Sequence, residues 1–116
     1  MRDLVEAKLI NNSTDDRFRF SAECEVCHKE IKSISIPFAK AGTIPASKSK
    51  ELIYSIVYDQ ELQDARTKAL GEIYPQFSLC PVCKRIVCNT CFLICEDIDM
   101  CTECASQLNE QGTPVN

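Results

Sequence analysis

CPVCKRIVCNTC, residues 80–91, carries four cysteines as two CxxC pairs separated by four residues. Two more pairs lie outside it, Cys24/Cys27 upstream and Cys101/Cys104 downstream. Two residues between ligands let the backbone turn tightly, so that both sulfurs reach one ion at about 2.3 Å. Each pair is then half of a tetrahedral site, and four pairs make two sites with no ligand missing. The expected metal ligands are Cys24, Cys27, Cys80, Cys83, Cys88, Cys91, Cys101 and Cys104, and the expected cofactor is Zn2+, two ions per chain. Tetrahedral thiolates would also suit iron, so zinc is an inference from ligand type.

The pairs can combine in three ways. Joining Cys80/Cys83 to Cys88/Cys91 leaves little chain for the reversal between two tight turns. A sequential arrangement (Cys24, Cys27, Cys80, Cys83, then Cys88, Cys91, Cys101, Cys104) and an interleaved one (Cys24, Cys27, Cys88, Cys91, with Cys80, Cys83, Cys101, Cys104) both remain open on spacing alone.

The rest of the composition agrees with a cross-linked small protein. The chain has 116 residues, nine cysteines, eight aromatic residues and no tryptophan. Such a chain relies on metal or covalent links where a larger one relies on its core. The N-terminus mixes charges and has no apolar run of a secretory signal, and no stretch reaches the roughly 18 apolar residues of a membrane span. A cytoplasmic setting, where thiols stay reduced, is the expectation, and an odd number of cysteines also favours metal over disulfides. The lack of targeting segments would suit a bacterial or phage protein. The formal charge is −4 with neutral thiols and would be about −8 with two tetrathiolate zinc ions. That balance disfavours a phosphate backbone as main partner.

Residues 1–16 are polar and read as a flexible N-terminal arm. RFRFSAECEV (17–26) alternates through Phe18, Phe20, Ala22, Cys24 and Val26, and EIKSISIPF (30–38) through Ile34, Ile36 and Phe38. Together they predict a β-hairpin over 17–38 turning at CHKE. A loop follows over 39–50, with Gly42 and Pro45. A helix is predicted over about 48–74, capped by Ser47 or Ser49 and stopped by Pro75. Tyr54, Tyr58, Leu62, Ala65, Ala69 and Ile73 form its apolar stripe, read as core packing. LIYSIVY (52–58) is rich in β-formers, so a short strand there is the alternative. The cysteine-rich module spans 79–108, within a single two-zinc domain over 17–110, and 111–116 reads as a frayed tail. The fold class is α+β: a small zinc-stabilised domain of hairpin, helix and cysteine-rich module.

CPVCKRIVCNTC followed by CTECASQL resembles the second half of a FYVE-type finger and, more loosely, PHD- and RING-type fingers. The resemblance covers about residues 80–108 plus the first pair. It implies a treble-clef-like cross-brace, hence the interleaved pairing, with hairpin and helix as an insertion in a 52-residue spacer between Cys27 and Cys80. The chain departs from those families at informative positions. YPQFSLCPVCKR holds only Lys84 and Arg85 where FYVE domains carry a basic phosphoinositide-reading cluster. CPVC is the second pair here, whereas RING ligases often carry CPxC in the last. Neither lipid binding nor ligase activity carries over.

The remaining candidates are weaker. Cys95 reads as a small buried apolar residue, with Glu96 and Asp97 opposing thiolate chemistry. His28, the single histidine, reads as a turn residue. Residues 88–110 hold Glu96, Asp97, Asp99, Glu103 and Glu110 with no Lys or Arg, whereas 28–50 is net +4 through Lys29, Lys32, Lys40, Lys48 and Lys50. No paired carboxylates, phosphate loop or Ser/His/Asp set is present. The reading is a non-catalytic zinc-binding protein serving as a protein–protein interaction module or small regulator, with no catalytic residue and a protein partner. A nucleic-acid-binding zinc ribbon, a RING-like ligase component using Val26 and Val82, and a thiol-redox enzyme are the alternatives. The oligomeric state is not legible at this level.

Overall fold

The computed structural model describes residues 1–115. Its elements in chain order are α1 (Arg2–Ala7), β1 (Ile10–Asn11), β2 (Arg17–Phe18), β3 (Phe20–Glu23), β4 (Glu30–Lys32), β5 (Ile36–Pro37), α2 (Lys48–Ile73), β6 (Phe77–Leu79), β7 (Ile86–Cys88), β8 (Phe92–Cys95), β9 (Met100–Cys101), α3 (Thr102–Leu108) and β10 (Gly112–Pro114). The protein is α+β, built from short antiparallel ladders around one long helix, and is elongated at 65 × 19 × 17 Å.

The hairpin over 17–38 forms as two successive ladders. β2 pairs with β5, and β3 with β4, Ala22 facing Ile31. The period of two places Phe18, Phe20, Ala22 and Cys24 in the core. It fails on the return strand. Residues 33–35 leave the ladder, so Ile31 is buried while Ile34 is 70% exposed. A break of this kind resets which side chains face inward.

α2 starts where the sequence places it. The Lys50 N–H donates to Ser47 Oγ (3.2 Å), an N-cap bond that satisfies one orphan donor. The β-formers of 52–58 are helical, and tertiary context overrides such propensities routinely. Burial is confined to the C-terminal part of the helix: Ala65, Ala69, Leu70 and Ile73. The small alanines let β3 and α1 approach closely. Toward the N-terminal end, Tyr58 and Leu62 pack at the core margin, and the Tyr58 ring meets Phe18 at a tilt and Phe38 edge-on, each at a centroid distance of 5.1 Å.

Both chain ends are corrected by the structure. Residues 1–16 are not a loose arm. Val5 is fully buried, Leu9 packs against the core just past α1, Arg66 reaches the Glu6 carboxylate and carbonyl, and β1 extends the sheet in the order β1-β3-β4. Val5 within α1 and Leu9 just beyond it are the apolar anchors that the polar composition conceals. The tail is not frayed either, because β10 adds to β8 in the order β10-β8-β9. Gly112 stands opposite Cys95, and a Cβ there would lie 2.6 Å from the Ile94 carbonyl oxygen and 2.8 Å from Cys95 Sγ. Only glycine permits that approach. Asn116 lies outside the described residues. No helix among the described residues is long and apolar enough to cross a membrane.

Candidate metal centres

The tips of two hairpins carry the first two CxxC pairs. The turn between β3 and β4 holds Cys24 and Cys27, and the turn between β6 and β7 holds Cys80 and Cys83. The two turns have the same backbone. The His28 N–H donates to the Cys24 carbonyl (3.0 Å) and the Lys84 N–H to the Cys80 carbonyl (2.8 Å). The hairpins close through Cys24 N–H to Lys29 and Cys80 N–H to Arg85, each 3.0 Å. His28 and Lys84 both take φ of +62°, which turns the chain away behind the second cysteine. His28 is thus a turn residue, as read from the sequence, and joins neither thiol cluster.

The other two pairs lie at the starts of helical turns. Cys88 precedes a 3₁₀ turn, Asn89–Cys91, and Cys101 is the N-cap of α3, its Sγ accepting from the Cys104 N–H (3.4 Å). Each hairpin tip meets one such turn. Cys24, Cys27, Cys88 and Cys91 gather in one cluster, and Cys80, Cys83, Cys101 and Cys104 in a second, with the ligand atoms of each within 4.8 Å of one another. The chain therefore interleaves its pairs, and CPVCKRIVCNTC contributes half of each cluster. The junctions repeat as well. The Cys88 N–H donates to Cys24 Sγ (3.2 Å), and the Cys101 N–H donates to Cys80 Sγ (3.3 Å).

Sulfur spacing tests whether a metal fits. A tetrahedron with metal–sulfur bonds of about 2.3 Å has edges of about 3.8 Å. The Cys27–Cys88 separation is 3.6 Å, Cys83–Cys101 3.8 Å and Cys80–Cys104 3.9 Å. A disulfide would need about 2.05 Å, and all nine cysteines are free. The donor set and its spacing suit two metal ions.

Charge tells the same story. Four thiols this close cannot all ionise without a cation among them. In the first cluster burial pushes Cys91 up, while Cys88 is drawn down to about 6: burial opposes its ionisation, but hydrogen bonds from Thr90 and the neighbouring thiols outweigh it. In the second, burial raises Cys104 to about 12, while Cys83 falls to about 6 because Arg85 overcomes its desolvation. An ion would displace protons from the raised thiols and hold all four as thiolates.

Two residues outside the ligand set organise the clusters. Arg85 donates from Nε to Cys83 Sγ (3.2 Å) and from Nη2 to Cys101 Sγ (3.8 Å), and Nη1 reaches Glu103 (3.3 Å). Glu25 joins the hairpins: its N–H donates to the Ile86 carbonyl (3.1 Å) and its carboxylate accepts from the Ile86 N–H. Lys8 completes that contact at 2.8 Å, tying in the N-terminal segment. Desolvation works against the Glu25 carboxylate, yet the Lys8 and Ile86 hydrogen bonds hold it below the ordinary glutamate value. Sequence reading missed both residues. A signal for Arg85 existed in the shared pattern C-x-V-C-[HK]-[KR] at 24–29 and 80–85; Glu25 had none, since its partner is 61 positions away.

Cys95 joins neither cluster. It is half-buried beneath Gly112. Among the acidic residues of 88–110, Asp99 accepts from the Cys95 N–H (3.1 Å) and Glu103 pairs with Arg85, while Glu96, Asp97 and Glu110 are exposed. Val26 packs against the core and Val82 is 44% exposed. Comparison with models of known protein families, with curated proteins and with solved structures finds no significant match.

Proposed function

We propose that the protein is a non-catalytic zinc-binding module whose two tetrathiolate sites hold a surface for a protein partner. The closure of both clusters carries the reading. Four sulfurs at tetrahedral spacing fill every position of a zinc ion, leaving none for water or substrate. Zinc is favoured over iron by its preference for closed structural thiolate sites. Interleaved ligands, each set joining a hairpin tip to the start of a helical turn, are similar to the cross-brace of treble-clef fingers, a likeness that supports a binding role.

The partner-facing surface in this reading is the loop between β8 and β9. Glu96 and Asp97 are exposed there and engage no cation among the described residues. Asp99 and Glu103 are already used within the fold. A basic segment of a partner protein fits that charge. The ligase reading has less support, since the cleft beside the first hairpin tip, lined by Lys8, Ile10, Glu23, Cys24, Glu25, His28 and Arg85, includes neither Val26 nor Val82.

Metal analysis of the native chain, followed by affinity capture with the wild type and with a Glu96→Ala/Asp97→Ala variant, tests both parts. Two zinc ions per chain and a partner lost from the variant alone are expected. Fewer than two ions, or thiols that exchange with disulfides, would overturn the structural-zinc reading. Partners that bind the variant equally well would move the surface elsewhere.

A further inference from the structure

The N-terminal part of α2 carries an apolar face that the monomer leaves uncovered. Leu52 is 65% exposed, Ile53 46% and Ile56 49%. At about 100° per residue these three fall within roughly a quarter to a third of the helix circumference, on the side away from Tyr54 and Tyr58, which turn to the body. The helix is about 39 Å long, and its buried residues begin only at Ala65. The other side of this half is held to the body by Tyr58 against Phe18 and Phe38 and by Lys40 over the Tyr54 ring, so the three aliphatic side chains form one apolar patch in water, of the kind that marks an interaction surface.

The charges beside the face say what covers it. Lys48 lies in the first turn and Asp59 three turns on, and they share one margin of the apolar face, about 20° apart on the helix. Neither forms an ion pair among the described residues. We propose that a second copy of this chain docks here, with the two α2 helices antiparallel about a twofold axis near Tyr54.

That axis satisfies the whole face at once. In a twofold interface, if one residue meets a second, the second meets the first. With the axis at position 54, Leu52 of each copy falls against Ile56 of the other, and Ile53 lies near the axis. Lys48 comes within about one residue of level with Asp59 of the second copy, and flanking charges of this kind set helix orientation. In a parallel pair the twofold axis would run along the helices and put the Lys48/Asp59 margins of the two copies on opposite sides of the seam, where these charges could not pair. The proposal is independent of the zinc and of the acidic-loop surface.

Light scattering on the full, metal-loaded chain across a concentration series tests it. The mass of two chains, dissociating on dilution, is expected. Ile56→Glu should give the mass of one chain with unchanged helix signal and metal content. Lys48→Asp and Asp59→Lys should each weaken the dimer by about tenfold, and an equimolar mixture of the two should restore it, because both cross-chain pairs become attractive again. A wild-type chain that stays single at its highest soluble concentration would overturn the proposal. So would a dimer indifferent to Ile56→Glu, and a mixture that restores nothing would overturn the antiparallel register.

Discussion

The cluster of Cys24, Cys27, Cys88 and Cys91 and that of Cys80, Cys83, Cys101 and Cys104 share one plan, a hairpin tip closed on the start of a helical turn. They differ in what surrounds the sulfurs. The second has the Arg85 guanidinium against two of them, anchored by Glu103, and begins α3. The first has backbone N–H groups on Cys24 Sγ and, from side chains outside the cluster, the Thr90 hydroxyl, 3.0 Å from Cys88 Sγ, but no cation; it ends in a single 3₁₀ turn and leaves Cys27 exposed. A tetrathiolate zinc site carries two negative charges, so a cation against the sulfurs lowers the cost of burying it. Equal ligand sets thus give unequal sites, and the first should be the more labile.

The largest effect tests the shared plan. Cys24→Ser/Cys88→Ser should leave one ion per chain, whereas Cys24→Ser/Cys80→Ser should lose both. Sequential pairing would reverse those stoichiometries, so metal analysis decides. Complete chelation should collapse both hairpins, since a structural zinc contributes roughly 10–16 kcal/mol; circular dichroism unchanged by chelator would contradict this.

Next comes the asymmetry. Arg85→Gln should weaken the second ion by about 10–100-fold, Arg85→Lys should recover part of the loss, and Thr90→Val should affect the first ion less. Competition with a chromophoric chelator reads both. Acid should expose the same difference. Protons compete with a metal ion for thiolates, so the stability that the ions supply should be lost as pH falls. The first cluster, lacking a guanidinium, should release its ion at the higher pH, which an indicator titration would show.

Smaller effects test the scaffold. Gly112→Ala forces a methyl into the Ile94 carbonyl and Cys95 sulfur and should cost about 1–3 kcal/mol, seen as a lower melting temperature. Ser47→Ala removes the α2 cap and should cost about 1 kcal/mol or less, the smaller figure following from the exposure of that helix end.

Much of the candidate site was legible because CxxC is a local device. Two intervening residues suffice to aim both sulfurs, so all eight clustered cysteines could be named from spacing, as could α2, with Ser47 or Ser49 as its cap, and the alternation of 17–24. The pairing of the clusters was not local. Spacing left sequential and interleaved sets equal, and the contact that separates them, Glu25 with Ile86, joins segments far apart in the chain. The sequence by itself determined the cysteine pairs, the long helix and the first hairpin strand, since each is specified by neighbours within a few residues. Tertiary structure alone decided which pairs share a cluster, that α1, β1 and β10 pack into the fold, that Arg85 serves one cluster only, and that Leu52, Ile53 and Ile56 face outward. Those outcomes depend on which distant segment occupies the adjoining space, and no local pattern encodes that.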